Sequence, residues 1–404
     1  MRILIVSQYF YPEDFKVNDI AFDFVNRGHE VVVFTAKPNY PKGSFYKGYS
    51  FWGKSEEVIN GVKVIRIPIF PRFDSSSKFL ILNYLSFIFF SYIFKYRLKG
   101  KFDIIFSHLP SPLIAALPAI WFRKKFKSKL YLWVLDLWPE SVQANSKFKD
   151  GYIIKNLNKV IKYIYSNTDV ILISSKVFKS SILEKGIHPN KIIKYFPNWA
   201  EDVFSEESID SPEIPDLPQG FNILFAGNIG DSQDFESILE AAKLTQEKSI
   251  NWVLVGDGRK VPWIKSEIKK NNITNVYLLG RYPIEMMPVF FKRADAMLVS
   301  LKDSPAFALT VPAKVQAYMA SSKIILGMFN GEGQELINES GCGFAVNAGD
   351  YQELSEKAIE IKCLRNEQRV QMERSSKSFY IQNFSKKKLF DFLENDFKKN
   401  LKAD

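Results

Sequence analysis

Short apolar runs recur along this chain with little polar alternation inside them. In the first half they fall at residues 3–6, 30–35, 63–67, 102–107, 130–135, 170–174 and 192–195. In the second half they fall at 223–226, 252–255, 276–279, 294–300, 323–326 and 343–346. A strand that is apolar throughout is buried on both faces, as in a parallel sheet covered by helices. Helical spacing appears between the runs. Residues 19–26 end at Gly28, and Phe235, Ile238, Leu239 and Ala242 share one face. Residues 351–363 and 386–399 read as further helices, the last with Leu389, Phe390, Phe392 and Leu393 as its apolar set. Two stretches break the alternation. Residues 37–53 are rich in Pro, Gly, Tyr and Phe and read as a loop. Residues 201–220 are acidic, Pro-rich and aperiodic, and read as a linker. The pattern therefore predicts an α/β protein of two Rossmann-like domains, 1–200 and 221–385, facing each other across a deep cleft. The helix at 386–400 is expected to pack back near the first domain.

The candidate chemistry lies where strands end in glycine. The run 223–226 enters Gly227-Asn228-Ile229-Gly230, 252–255 enters Gly256-Asp257-Gly258-Arg259, and 276–279 enters Gly280-Arg281. Glycine lets backbone approach a ligand closely, and a helix start that follows offers free N–H groups to a phosphate. One such turn is commonly structural; three at one edge of a parallel sheet mark a ligand site.

Charge changes the picture next. The net charge is +11, but residues 1–200 carry 30 Lys and Arg against 14 Asp and Glu, while the remainder is net negative. The basic half calls for an acidic partner: nucleic acid, anionic lipid or a phosphorylated acceptor. Residues 79–94 hold no charge and seven Phe or Tyr, with Lys78 before them and Lys95, Arg97, Lys99 and Lys101 after. The segment is short for a membrane span, which needs about 20 residues. It reads either as a helix in the domain core or as one lying on a membrane surface with its lysines at lipid phosphates. No basic groove with stacking aromatics is identifiable, so nucleic acid is not the expected partner. Cys342 and Cys363 have no metal-ligand spacing, and no metal site is expected. Met1-Arg2 leads directly into a strand, so the expectation is a cytoplasmic protein without a leader.

Several motifs together carry a resemblance. They are Gln8-Tyr9-Phe10-Tyr11-Pro12-Glu13, Arg27-Gly28-His29-Glu30-Val31, Asp136-Leu137-Trp138-Pro139-Glu140-Ser141, Pro197-Asn198-Trp199, Ala226-Gly227-Asn228-Ile229-Gly230, Gly256-Asp257-Gly258 and the run Val311-Pro312-Ala313-Lys314-Val315-Gln316-Ala317-Tyr318. Over almost its whole length the chain resembles GT-B glycosyltransferases of family 4, in the bacterial branch that builds O-antigen and capsule. Within that branch it looks most like the L-fucosamine (N-acetyl-L-fucosaminyl) transferases.

The resemblance implies a UDP-sugar donor on the C-terminal domain. Gly227, Asn228 and Gly230 would lie against the diphosphate, Arg259 would add charge, and Arg281-Tyr282 would hold the uracil. Lys314, Gln316 and Tyr318 would open the helix facing ribose and phosphate. Residues 11–14, with Asp14 among them, His108 and Asp136 would face an undecaprenyl-diphosphate-linked acceptor at the inner face of the cytoplasmic membrane. The family's paired glutamates fall on Leu309 and Ala317, and its diphosphate-neutralising Arg and Lys fall on Asn228 and Gln233. A leaving UDP must still meet positive charge, which leaves Arg259 and Lys314. The acceptor hydroxyl needs a proton acceptor, for which Asp136 comes first, then His108 and Asp14. No metal cofactor is implied. A UDP-sugar 2-epimerase of the same fold and a catalytically silent sugar-nucleotide-binding scaffold are the alternatives.

Overall fold

Two separate sheets carry the apolar runs in the computed structural model, which describes residues 1–73, 76–141, 151–205 and 214–402. The first unit comprises Met1–Pro197 with Phe390–Asp404; the second is Asn198–Leu389. Strands of the first are β1 (Arg2–Val6), β2 (Glu30–Ala36), β3 (Glu56–Ile59), β4 (Val62–Ile67), β5 (Ile104–Leu109), β6 (Lys129–Val134), β7 (Val170–Ile173) and β8 (Ile192–Tyr195). They order as β3-β4-β2-β1-β5-β6-β7-β8, parallel except for the β3–β4 hairpin. Strands of the second are β9 (Phe221–Ala226), β10 (Ile250–Val255), β11 (Val276–Gly280), β12 (Ala296–Ser300), β13 (Ile325–Met328) and β14 (Gly343–Val346). They order as β11-β10-β9-β12-β13-β14, all parallel.

Both sheets are doubly wound. The chain moves outward from β1 through β2, then returns to place β5 on the other side. In the second sheet β9 has β10 on one side and β12 on the other. Where strand order reverses, loops leaving the carboxyl ends diverge and leave room for a ligand. The switch points are thus the ends of β1 and β5 in one unit and of β9 and β12 in the other.

The α/β reading holds, and the differences have local causes. The β3–β4 hairpin was not read, although Asn60-Gly61 between the strands is its signal. Both residues take positive φ, 48° and 80°, as a two-residue hairpin turn requires. Strand β5 runs to Leu109 rather than stopping at Ser107, because His108 and Leu109 pair with Trp133 and Val134 of β6. The helix Asn366–Asn383 was also missed; it is mostly polar, with only Ser376 and Tyr380 buried. Of the stretch 201–220, residues 206–213 lie outside the described residues, while Phe204 and Ile214 are buried in a core of the second unit.

From Phe390 onward, the C-terminal helix Lys386–Lys402 is fastened within the first unit by both apolar and charged contacts. Phe397 sits against Phe24, Phe106 and Tyr131, with ring centroids 5.6, 6.4 and 4.6 Å away. Arg27 Nη1 donates to Asp391 at 2.7 Å and to Glu394 at 3.0 Å, and His29 Nε2 lies 3.0 Å from Glu394. Lys398, Arg27 and His29 hold the Glu394 carboxyl down at about 2, while burial pushes the His29 imidazole below its usual value. A carboxyl depressed on folding contributes stability that is complete above its ordinary value of 4.5 and is lost as pH falls toward the folded one. The His29 shift has the same sign, since protonating it opposes the fold. We predict that amide protection factors in residues 390–402 begin to fall below pH 6.5, as His29 is driven to protonate, and fall further as pH drops from 4.5 towards 2. Glu394→Gln should lower them already at pH 7 and flatten this response.

Candidate active site

In the second unit the three glycine-ended strands meet as close backbone contacts. Gly227 N–H donates to the Val255 carbonyl at 2.9 Å, and Gly256 N–H to Gly280 at 2.7 Å. The turn after β9 is zipped to the turn after β10: Ile229 N–H donates to Asp257 O at 2.8 Å and Lys260 N–H to Ile229 O at 3.1 Å. A Cβ on Gly256 would stand 1.8 Å from the Gly227 carbonyl oxygen, and Gly256 has φ +146°. No L side chain fits there. Gly227 and Asn228 are exposed at this edge, whereas Gly230 is buried beneath the Asn228 amide. Arg259 and Arg281 are exposed on the loops after β10 and β11. Tyr282 packs edge-on against Phe290 with ring centroids 4.8 Å apart.

Lys314 converges on the same turn. It lies in the first turn of the helix Ala313–Ala320, with Pro312 before it. Its ammonium is 3.6 Å from the centroid of the Phe225 ring and donates to Gln233 Oε1 at 3.0 Å. A Cβ on Gly227 would touch its Cε at 2.9 Å and its Nζ at 3.3 Å. Among the described residues no carboxylate pairs with it. Burial is the sole cause acting on its pKa, which falls to about 7. A half-buried cation facing a glycine turn, beside the free N–H groups of a helix start, is built for an anion.

The other two residues of that helix do not join it. Tyr318, 1% exposed, accepts from Ala226 N–H at 3.2 Å and donates to Leu298 O at 3.4 Å, tying the helix to β9 and β12. Gln316, 2% exposed, turns its amide nitrogen to Pro312 O at 2.9 Å and Ala313 O at 3.2 Å. Both are core residues rather than ligand contacts.

The candidates of the first unit separate in the same way. Asp136, two residues beyond β6, is half-buried. Burial raises its pKa, while the Ser141, Trp138 and Ser111 side chains oppose the shift. His108 is 2% exposed, tilted against Trp133 and edge-on to Phe15, with Nδ1 3.1 Å from Ser7 Oγ. Burial pushes its pKa down to about 3, so it stays neutral. The expectation of a proton-exchanging histidine at a strand tip is corrected: the longer β5 draws His108 into the sheet. Asp14 is exposed, and Glu13 is the residue turned inward. The Glu13 carboxylate accepts from Asn39 and Tyr40 N–H, each at 2.8 Å, and from Phe10 N–H at 3.3 Å. Burial lifts its pKa to about 7 against those bonds. It pins the loop after β1 to the loop after β2, a role suggested only by its place in the aromatic motif. Among the described residues no group of three or more His, Cys, Asp and Glu gathers as a metal site.

The shift on Lys314 gives a test. An anion favours the charged ammonium, so binding takes up a proton wherever the free amine is neutral. Affinity for inorganic pyrophosphate in calorimetry should therefore weaken above pH 7, by up to about tenfold per pH unit. Lys314→Ala should remove this component of the pH dependence.

Comparison with known proteins follows the same division of the chain. Residues 17–198 match the family described as Glycosyltransferase Family 4, and residues 220–362 match Glycosyl transferases group 1. A Pseudomonas aeruginosa protein named as glycosyltransferase WbjE is 28% identical over 306 residues, covering 72% of this chain and 74% of its own. Escherichia coli WcaI, named for glycosyl transfer in colanic acid biosynthesis, is 25% identical over 335 residues, covering 79% and 81%. The crystal structure of Anabaena HepE in complex with UDP superposes with a TM-score of 0.67 at 12% identity, covering 99% of this chain and all of that one. The chain is thus a glycosyltransferase of the GT-B fold, its first half similar to the Family 4 model and its second to the group 1 model.

Proposed function

We propose that this enzyme transfers a sugar from a UDP-sugar to a lipid-diphosphate-linked acceptor during assembly of a bacterial surface polysaccharide. N-acetyl-L-fucosamine is the candidate sugar. The observation that carries the reading is the unpaired Lys314 ammonium against the Gly227 turn. A departing nucleoside diphosphate gathers negative charge, and a fixed cation at a helix start stabilises it without reorganisation. Lys314 meets that need without a metal ion. The UDP in HepE and the colanic acid pathway in the name of WcaI support the donor and the setting. Glycosyl transfer replaces the epimerase and scaffold alternatives.

Proton transfer belongs to the first unit in this reading. Leu309 is half-buried and Ala317 is buried, and neither can supply an acid. Asp136 is the base for the acceptor hydroxyl, its raised pKa bringing it closer to neutrality. Measured as UDP release with a lipid-linked acceptor, Asp136→Asn should lower kcat at least about 100-fold and leave UDP affinity unchanged. An active Asp136→Asn enzyme would sink the assignment. The buried His108 leads to a different expectation for His108→Ala: a lower melting temperature.

The site of action is the inner membrane surface. The helix Ser77–Phe94 is polarised the wrong way round for a soluble protein. Asn83, Ser86 and Ser91 are buried, while Phe79, Ile81, Leu82, Leu85, Phe89, Tyr92 and Ile93 are exposed. Asn83 is held inside by Gln8 at 2.7 Å and by the Phe70 carbonyl at 2.7 Å. Only Phe87 and Phe90 of its large apolar residues are buried, so the core-helix reading of this segment fails. The stretch Ser77–Arg97 is long and apolar enough to cross a bilayer, by length and composition. Its polar inner face, bonded to the domain, fits a helix lying at the interface instead. Trp52, 74% exposed, extends the patch through Phe51, which packs on Phe90 at 5.5 Å. Flotation with anionic liposomes should fall with added salt, and fall further when Lys95, Lys99 and Lys101 become Ser. Flotation indifferent to both changes would refute the electrostatic part of the reading.

A further inference from the structure

Arg72 follows β4 and was not singled out by any sequence motif. Its guanidinium stands over three tyrosine rings, 5.3 Å from Tyr9, 4.9 Å from Tyr40 and 5.5 Å from Tyr84. Nη2 donates to the Tyr9 hydroxyl and, at 3.4 Å, to that of Tyr84. Nε is closed off from solvent with no acceptor. Among the described residues no carboxylate forms an ion pair with Arg72, in contrast to Arg66, which is buried against Glu57. A guanidinium cannot shed its charge. Enclosed by aromatic rings and left without a counter-ion, it retains an unmet demand for one.

The cage adds donors of its own. Both phenol oxygens accept from Arg72, and the Tyr84 hydroxyl is also bonded to Tyr9 and Ser111, so the cage is a connected polar cluster. Burial raises the pKa of Tyr9 and of Tyr84, which keeps both protonated. Tyr84 also lies beside Ser111 and feels the charge of Asp136. Ser111 follows β5 and touches the Asp136 group as well. The cationic cage and the proposed base therefore belong to one neighbourhood at the carboxyl ends of β1, β5 and β6. Tyr9 is buried, but Arg72 and Tyr84 are half-exposed and Tyr40 is exposed, so the cage has an open side.

We propose that Arg72 and its tyrosine cage bind a phosphate of the acceptor, holding the acceptor beside Asp136. Phosphate suits a cage whose donors come from several directions, since its oxygens are spread tetrahedrally. The inference rests on the reading that the first unit takes the acceptor, and it adds the residue that recognises it.

The test uses the full chain and inorganic pyrophosphate as probe, titrated by calorimetry in the presence of saturating UDP. UDP removes the Lys314 site from the measurement, and failure of UDP itself to bind would refute the donor reading rather than this one. With Lys314→Ala replacing UDP as the block, the cage is then tested independently of that reading. Wild-type protein should still bind pyrophosphate, and Arg72→Gln should weaken that binding at least about tenfold, the loss of a charge-assisted contact. Arg72→Lys keeps the charge but not the planar fork, and should fall in between; it serves if the Gln variant melts early. In turnover assays Arg72→Gln should raise KM for the acceptor with kcat and donor KM little changed. Pyrophosphate binding equal in wild type and both variants, or none in the blocked wild type, overturns the proposal. Two further probes separate the phosphate sources: farnesyl diphosphate in micelles and glucose 1-phosphate. Preference for the first supports a lipid-diphosphate acceptor. Preference for the second supports the cage but overturns the lipid-linked assignment.

Discussion

The contact between the Gly256 backbone and the Gly227 carbonyl constrains everything at the ligand edge of the second unit. No Cβ can enter there, so the turns after β9 and β10 lie directly on each other. Backbone bonds from Ile229 to Asp257 and from Lys260 to Ile229 then lock the two turns into one surface. That surface leaves a place that a side chain would otherwise occupy, and the Lys314 stem runs against it. The cation is aimed by packing alone. Its stem is confined by Gly227 and its head by the Phe225 ring and the Gln233 carbonyl.

Two groups of cations contrast among the described residues, and the difference is physical. Arg27, Arg123, Lys185 and Lys194 are matched with Asp391, Asp169, Glu140 and Asp396, and each pair joins elements distant in sequence. Removing one partner would strand a charge in a poorly solvated place, so these pairs hold the fold rather than perform chemistry. Lys314 and Arg72 are half-buried as well but are satisfied by neutral groups only. Desolvated positive charge without a counter-ion costs stability, and such costs are retained where a ligand repays them. Each stands at the switch point of its own sheet, where the topology leaves loops apart.

The helix Ser77–Phe94 makes the same point with surface chemistry. Its composition alone fits a core helix and an interfacial one equally, because an almost uniformly apolar segment has no preferred face. Polar side chains bonded to the domain, Asn83 and Ser86, hold its orientation. Asn83, Ser86 and Ser91 turn inward, Asn83 because Gln8, Asn39 and the Phe70 carbonyl offer it partners. The aromatic face is then left outside.

Apolar run length and strand-end glycines determined the two α/β sheets, their largely parallel strands and the turn at Gly227, since these depend on local periodicity and on the absence of a Cβ. Lys314 could be singled out because it opens a helix next to a recognisable motif. Asp136 could be placed at a strand end for the same kind of reason. Tertiary structure alone decided which neighbours face a ligand. It buried Gln316 and Tyr318 under the helix that exposes Lys314 to the turn, and drew His108 into β5 through pairing with β6. It turned Glu13 inward in place of Asp14, and it assembled the Arg72 cage from residues at positions 9, 40, 72 and 84. Such outcomes depend on contacts between residues far apart in the chain, and no local pattern carries them.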